Sequence, residues 1–289
     1  MQSVRELAFL GLRATGMPWL LRHLFQRNTV TILFYHDLDP RCADRHFQAL
    51  RKRYNVISLA ACLDALEMGT FRQLPPRSVV LTFDDGYRRN LDLVPILDRH
   101  QIPATVFLCS GIVGTSRRFW FAHVRDRARK DQLKALQNED RLAALAKMGY
   151  LETMEFEERQ SLSDDEVQAM KGVVDFQSHT VFHPCLPRCT SAHAQVEIVN
   201  SKRQLEERYG LAIYALAYPN GDHSERDVRW TKEAGYRCGL TTVPGYVDEN
   251  TDVFRLPRLW INDTAGFNEL VVEASGLFGQ LYRVLKRVR

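Results

Sequence analysis

Short apolar runs alternate with helical patterns from Thr29 onward. Seven runs are rich in β-branched and aromatic residues and are bounded by polar or turn-forming residues, which is typical of buried strands. Between them, stretches such as 44–53, 90–100, 191–209 and 225–234 carry apolar residues at helical spacing. This alternation predicts parallel βαβ units. The predicted strands are 30–35, 78–83, 104–108, 173–177, 213–217, 236–241 and 256–261.

The number and order of these elements predict an α/β fold, a deformed (β/α)₇ barrel rather than a small flat sheet. We expect the barrel to span 29–265, after a basic amphipathic segment at 1–28 and before a basic amphipathic helix at 266–289. A charged helical insertion at about 115–172 interrupts the alternation, and we interpret it as a solvated excursion over one face. Ser163 and Glu166 form a capping box that predicts the start of its last helix.

Composition narrows the class of protein. The 289 residues are 45% hydrophobic and 26% charged, as in an ordinary globular protein, and a net charge of +4 gives no argument for nucleic acid as a partner. The six cysteines are dispersed, as expected of reduced thiols in a core rather than a disulfide framework. Without a recognisable secretory signal or a long apolar run, the sequence predicts a cytoplasmic location.

Candidate chemistry begins directly after the second predicted strand, at Asp84-Asp85-Gly86. Successive side chains at a strand end point in different directions, so one carboxylate can bind a metal while its neighbour faces the reacting centre as a base. Gly86 allows a sharp turn behind the two acids. Alone, this tripeptide is also compatible with an ordinary turn.

A second cluster, Ser178-His179-Thr180-Val181-Phe182-His183-Pro184, follows the strand at 173–177. Histidines four residues apart in one helical turn would present both imidazoles on one side, at a spacing suited to zinc. Together with one carboxylate, they would supply three protein ligands and leave positions open for water and substrate. This is the pattern of a catalytic metal site.

A third cluster, Tyr218-Pro219-Asn220-Gly221, ends the strand at 213–217. Its tight loop predicts backbone N–H groups directed into a pocket, where they would contact substrate or hold an oxyanion. An ordinary strand-ending turn is the alternative interpretation.

In this order, the TFDDG, SHTVFHP and YPNG motifs resemble the polysaccharide deacetylase, or NodB-homology, family of carbohydrate esterases, over nearly all of 29–263. The resemblance implies a deformed (β/α)₇ barrel that removes acetyl groups from N-acetylated glycans. It also implies a divalent metal, usually zinc, with Co²⁺ and Ni²⁺ as alternatives. By this resemblance Asp85, His179 and His183 bind the metal, and Asp84 is the catalytic base.

Two departures from the family pattern concern catalysis. Many members have an arginine before the proline of the third motif and a catalytic histidine late in the chain, and neither is found here. The early Phe34-Tyr35-His36-Asp37 resembles a permuted branch that includes exopolysaccharide poly-N-acetylglucosamine deacetylases, and this implies that His36 is the general acid. Arg255 and Arg258 are candidates to orient Asp84, and Arg258 is also a candidate substrate contact.

The sequence therefore predicts a hydrolase that releases acetate from an amino sugar of a polysaccharide or glycolipid. A barrel that binds glycan without turnover and a deacylase of another lipid-linked sugar remain alternatives. A further alternative assigns His179, His183, Cys185 and Cys189 to a closed structural zinc site.

Both ends of the chain combine apolar and basic residues. The first 27 residues place leucines, phenylalanines and Trp19 among four arginines, and the last stretch reads LFGQLYRVLKRVR. Such helices either lie on an anionic membrane, here the inner face, or pack on the barrel with their charges outward. The sequence leaves both open.

Overall fold

A parallel β-sheet bent into an incomplete barrel forms the centre of the computed structural model, which describes residues 2–279. The sheet runs in the order β7-β6-β5-β4-β3-β1-β8, with β2 added beside β3, and every pair of these strands is parallel. The strands are β1 (Val30–Tyr35), β2 (Asn55–Val56), β3 (Ser78–Phe83), β4 (Ala104–Leu108), β5 (Val174–Ser178), β6 (Ala215–Ala217), β7 (Cys238–Leu240) and β8 (Leu259–Trp260).

Helices surround the sheet and cover its outer face. The α-helices are α1 (Gln2–Ala14), α2 (Met17–Leu24), α3 (Pro40–Arg51), α4 (Leu59–Glu67), α5 (Val94–His100), α6 (Trp120–His123), α7 (Arg127–Ala135), α8 (Asn138–Ala146), α9 (Asp164–Met170), α10 (Ser191–Tyr209), α11 (Glu225–Glu233) and α12 (Phe267–Ala274). Short 3₁₀ helices lie at Phe71–Gln73, Arg88–Leu93, Leu186–Arg188, Pro219–Gly221 and Val253–Arg255.

Burial on both faces explains why the central strands are continuous apolar runs. Every residue of β1, β3 and β4 is buried, because one side of each strand faces the barrel interior and the other faces the helices. Polar side chains in these strands have hydrogen-bond partners: Thr82, for example, donates to the Leu33 carbonyl of the neighbouring strand at 2.9 Å. Burial of apolar side chains therefore stabilises the strands, and only a few buried polar side chains need hydrogen-bond partners.

The segment that leads into β8 brings the two ends of the sheet together. The Leu256 N–H donates to Gly239 O of β7 at 2.9 Å, and the Ile261 N–H donates to Phe34 O of β1 at 3.0 Å. This irregular stretch bridges the gap between β7 and β1 where regular pairing fails. The carboxyl ends of the strands consequently meet around one opening.

The predicted fold is confirmed, and the differences from the sequence prediction are local. Three strands have the predicted bounds, β5 begins and ends one residue later, and β6, β7 and β8 are shorter than predicted. For β7 and β8, the chain at the seam bends out of regular pairing. The two-residue β2 is too short to give a periodic signal. The capping box of Ser163 and Glu166 begins α9 as predicted. Phe119 and Trp120, near the start of the insertion, are buried. The insertion is therefore not only the solvated excursion that the sequence predicted.

Within 2–279, no helix has the length and apolar character needed to cross a membrane. The predicted C-terminal helix corresponds to α12 in its first part, and positions 280–289 of that prediction lie outside the described residues. The proposed boundaries at 28/29 and 265/266 stay a prediction.

Replacing Gly221 by Ala should destabilise the turn after β6. Gly221 has φ +75°, and a Cβ there would overlap both the backbone nitrogen and the hydroxyl of Thr242. Two costs are expected: the strain of a left-handed conformation and the overlap with Thr242. We expect the overlap to lower the free energy of unfolding by about 1–3 kcal/mol beyond the strain alone. Gly235→Ala is the matched control, since Gly235 has φ +78° and open space around it. Equal losses in chemical denaturation would contradict this.

Candidate active site

The polar clusters identified in the sequence lie at the carboxyl ends of neighbouring strands. His36 follows β1 and Asp84 follows β3, and the register that pairs Tyr35 with Phe83 makes the two residues level. The Asp84 N–H donates to the Tyr35 carbonyl at 2.9 Å. His179 follows β5 in the same way. Because parallel strands end at one edge, residues far apart in sequence meet in one opening.

Asp85, His179 and His183 form a buried cluster whose ligand atoms lie within 4.8 Å of one another. Oδ1 of Asp85 is 3.6 Å from Nε2 of His179 and 3.6 Å from Nε2 of His183. This is about the separation of two ligands of one tetrahedral ion bound at about 2 Å. The His179 Nδ1 donates to the Ala217 carbonyl at 2.7 Å, so the Nε2 lone pair faces the cluster.

The donor set fits a divalent metal. Asp85 Oδ1 is buried and has no hydrogen-bond partner among the described residues. A buried carboxylate oxygen without a donor is costly, and a cation would compensate it. Two imidazoles and one carboxylate are a usual set for zinc, and they leave positions open for water and substrate. These residues can therefore hold the metal that the sequence predicted, although its identity is not fixed by them.

The site loops are held in a left-handed backbone conformation. Four of the six non-glycine residues with positive φ in 2–279 lie here: Asp85, Thr180, His183 and Asn220. Such conformations are disfavoured, above all for a β-branched threonine, and they persist where surrounding contacts impose them. The prediction that the two histidines share a helical turn is therefore wrong, since they lie in an irregular loop that the fold bends toward Asp85.

A buried glutamate on α10 imposes this conformation. Glu197 Oε2 accepts from the Val181 N–H at 2.8 Å and from the Phe182 N–H at 2.9 Å. The insertion supports the other side: Trp120 Nε1 donates to the His183 carbonyl at 3.0 Å, and the Phe121 ring packs on the His183 imidazole. The sequence reasoning missed these residues. An acid on the apolar stripe of α10, beside Ala194 and Ile198, was the available signal.

Asp84 is bound by an arginine from the seam of the barrel. Arg258 Nη1 and Nη2 donate to Asp84 Oδ1 and Oδ2, both at 2.7 Å. Arg258 is 0% exposed, and its Nε donates to the Thr241 carbonyl. The expectation that Arg255 or Arg258 orients Asp84 is thus met by Arg258. Arg255 instead forms ion pairs with Asp252 and Glu225 at the surface.

The role of Arg258 as a substrate contact is contradicted. Its guanidinium is engaged by Asp84, Thr82 and Thr241 and is closed off from solvent. A substrate group cannot reach it without displacing Asp84. Arg258 therefore positions the carboxylate.

The pKa values of the two aspartates are shifted in opposite directions. Burial would raise the pKa of Asp84, but Arg258 and His179 lower it to about 2, so this carboxyl is ionised. Burial raises the pKa of Asp85 against the effects of His179 and His36, and the Asp84 charge adds to the rise. Burial lowers the pKa of His183 well below its ordinary value, which favours the neutral imidazole that binds metals.

The third cluster forms a tight turn directly after β6. Tyr218 is fully buried; its hydroxyl donates to the Phe254 carbonyl at 3.1 Å and its N–H donates to the Leu240 carbonyl at 3.0 Å, so both donors are engaged within the protein. Pro219 has no N–H to donate, and its carbonyl accepts from Asp222 at 3.0 Å; it shapes the turn. Asn220 is half-buried with φ +58°. Its role in holding the oxyanion stays a prediction.

The alternative of a closed zinc site is contradicted within 2–279. Asp85, His179 and His183 are the one group of potential metal ligands found there. The thiols lie elsewhere, since Cys189 Sγ faces the Cys185 carbonyl and Cys185 Sγ faces the Asn220 amide.

His36 is half-buried at the rim of this cluster. Its backbone N–H donates to Asp263 Oδ1 at 2.9 Å, and its charge contributes to the pKa values of Asp84 and Asp85. It is therefore near enough to act with them, and its role as an acid stays a prediction.

Comparison with known proteins gives a consistent result. A family model described as polysaccharide deacetylase matches residues 71–239, more than half of the chain. The poly-β-1,6-N-acetyl-D-glucosamine N-deacetylase of Staphylococcus epidermidis is 26% identical over 219 residues, which cover 73% of this chain and 62% of that protein. The matched family range contains the metal cluster and Asp84, but neither His36 nor Arg258.

Solved structures share the fold. The Streptococcus pyogenes deacetylase PplD, solved with acetate, aligns with a TM-score of 0.62 at 21% identity, over 85% of this chain and 98% of PplD. IcaB from Ammonifex degensii aligns with a TM-score of 0.61 at 18% identity, over 86% and 97% of the two chains.

The cluster should bind one divalent metal ion per chain. After loading with zinc and exhaustive dialysis, elemental analysis is expected to give one equivalent of zinc per chain. The Asp85→Ala and His179→Ala variants should each retain little zinc, because only two of the three protein ligands remain. His100→Ala is the control, since His100 pairs with Asp44 on the outside of the barrel. Zinc retained by both ligand variants would contradict the assignment.

Removing the Arg258 guanidinium should destabilise the fold. Arg258→Gln leaves the Asp84 charge buried without its partner, and we expect a loss of about 3–5 kcal/mol in the free energy of unfolding. Arg255→Gln removes exposed ion pairs and should cost about 1 kcal/mol or less. Denaturant titration measures both. Similar losses in unfolding free energy for the two variants would show that the buried ion pair stabilises the fold no more than the surface pairs do.

Proposed function

This chain belongs to the polysaccharide deacetylase family, and on that premise we propose that it is a metal-dependent N-deacetylase acting on an amino sugar of a glycan. Members of the family are hydrolases. The reaction adds water across the acetyl amide and yields acetate and a free amine. The name of the staphylococcal relative favours a poly-N-acetylglucosamine substrate. Because this chain spans 62% of that relative, the substrate is part of the proposal.

One observation carries the proposal: an ionised, oriented carboxylate lies beside a cluster of three potential metal ligands. Asp84 is held by Arg258 in one orientation, and its neighbour Asp85 faces His179 and His183. When bound, the metal would polarise a water molecule and the acyl oxygen. A pure binding site would have no need for a base held beside that cluster.

The residues of the chain then divide the proton transfers. Asp84 accepts a proton from the attacking water, and Arg258 keeps its carboxylate oriented toward the opening. The backbone N–H of Asn220 donates to the developing oxyanion. His36, which follows the neighbouring strand β1, donates a proton to the departing nitrogen, because an amine leaves poorly without one.

Acetate release tests this assignment. Purified protein with zinc is expected to release acetate from β-1,6-linked N-acetylglucosamine oligomers, and a chelator should abolish release until zinc is restored. Asp84→Asn should lower kcat at least about 100-fold, and His36→Asn by about 100-fold, as for the loss of a general base or acid. Asp131→Asn, a surface change on α7, should have no effect.

The outcomes separate the candidate functions. Oligomer binding with no acetate release by folded, zinc-loaded protein would favour a binding barrel. Release only from a lipid-linked amino sugar would redirect the substrate while leaving the chemistry in place. Full activity of Asp84→Asn would refute the proposed base.

A further inference from the structure

Helix α1 is attached to the protein through Phe9, which packs against Leu21, Val272 and Leu277, and through polar side chains. Arg5 forms an ion pair with Glu269 of α12, and Glu6 Oε1 accepts from the Asn268 N–H at 2.7 Å. Arg13 Nη1 donates to Asn268 Oδ1 at 2.7 Å. A helix on the surface of a globular protein ordinarily turns these residues toward water.

The opposite side of α1 is apolar and faces solvent. Val4 is 70% exposed, Leu7 64% and Leu10 45%, and their spacing of three residues places them along one side of the helix. These three apolar side chains thus face solvent, where an amphipathic surface helix ordinarily presents polar residues. Burial against the barrel does not account for these side chains.

Helix α2 extends the exposed apolar surface. Of the eighteen large hydrophobic residues exposed in 2–279, nine lie between positions 4 and 25, and concentration of this kind marks an interaction surface. We call this surface the N-terminal apolar face. It comprises Val4, Leu7, Leu10, Leu12, Met17, Trp19, Leu20, Leu24 and Phe25.

Three arginines, on α1, on α2 and just after α3, lie close together without acidic partners. The guanidinium groups of Arg13 and Arg53 lie 4.8 and 4.9 Å from the centre of the Phe267 ring. Burial, together with the charges of Arg22 and Arg13, lowers the pKa of Arg53, which places all three cations in one group. Among the described residues, none of them has a carboxylate within ion-pair distance. This arginine cluster is an uncompensated positive charge.

We propose that the N-terminal apolar face and the arginine cluster dock on an anionic lipid bilayer. Apolar side chains bordered by cations match the acyl and headgroup layers of such a surface. A second copy of this chain is a poorer occupant, because symmetric pairing through this face would bring two arginine clusters together. The last ten residues of the chain are also a poor occupant of this surface, because their basic residues would be repelled by the arginine cluster. They contain no acid and four basic residues: Arg283, Lys286, Arg287 and Arg289.

Helix α1 contacts a loop at the rim of the active site through its polar side. The Glu6 carboxylate lies against Gly266, in the loop between β8 and α12. Asp263 of that same loop accepts from the backbone N–H of His36. The docking inference itself does not depend on the reaction catalysed there.

Vesicle flotation of the full chain tests the proposal. We expect the protein to float with vesicles of phosphatidylcholine and phosphatidylglycerol at 3:1 and not with phosphatidylcholine alone. Leu7→Gln with Leu10→Gln should lower the partition coefficient about tenfold or more. Arg22→Gln with Arg53→Gln should lower it about fivefold per arginine.

Matched variants control for composition and charge. Leu151→Gln with Val196→Gln replaces two exposed apolar residues elsewhere, and Arg127→Gln with Arg203→Gln removes two exposed cations. Both controls should float like the unaltered chain, and circular dichroism verifies that every variant folds. Failure of the unaltered chain to float, or equal flotation of the Leu7/Leu10 variant, would overturn the proposal. A dimer in analytical ultracentrifugation that this variant loses, without any flotation, would assign the face to a second copy instead.

Discussion

A fully buried guanidinium lies at the seam where the two ends of the sheet meet. Arg258 donates to the Thr241 carbonyl just beyond β7, to Thr82 in β3 and to both oxygens of Asp84. Burial of a charge is costly unless the ion is paired and fully bonded, and this arrangement supplies both conditions. The same contact therefore closes the barrel and keeps one carboxylate ionised at its opening.

The metal-ligand cluster depends on a different kind of support. His183 and Thr180 adopt left-handed backbone conformations, which cost free energy and require contacts that hold them. Glu197 binds the N–H groups between them, and Trp120 binds the His183 carbonyl. Because these supports come from a helix and from the insertion, the ligands are placed before any ion binds. Such preorganisation favours affinity and a single geometry.

The rim of the opening is continuous with the outer helices. Asp263 binds the backbone of His36, while the neighbouring Asn262 N–H donates to Glu273 of α12. Burial raises the pKa of Glu273, with the charge of Glu269 adding to the effect. Glu269 in turn pairs with Arg5 of α1. A chain of polar contacts thus connects the surface helix α1 to the backbone of the residue proposed as the acid.

The sequence by itself determined the strand cores, the order of the chemical clusters and the family. Apolar runs such as β1 and β3 could be located because burial on both faces leaves a local signal, and adjacent acids or histidines at strand ends are visible as motifs. Only the tertiary structure decided between Arg255 and Arg258, turned Tyr218 into the core and revealed Glu197 as a support. It also showed that Val4, Leu7 and Leu10 of α1 face solvent while Glu6 contacts α12. These outcomes depend on which surfaces meet across the barrel, and contacts between residues distant in sequence leave no periodic pattern along the chain.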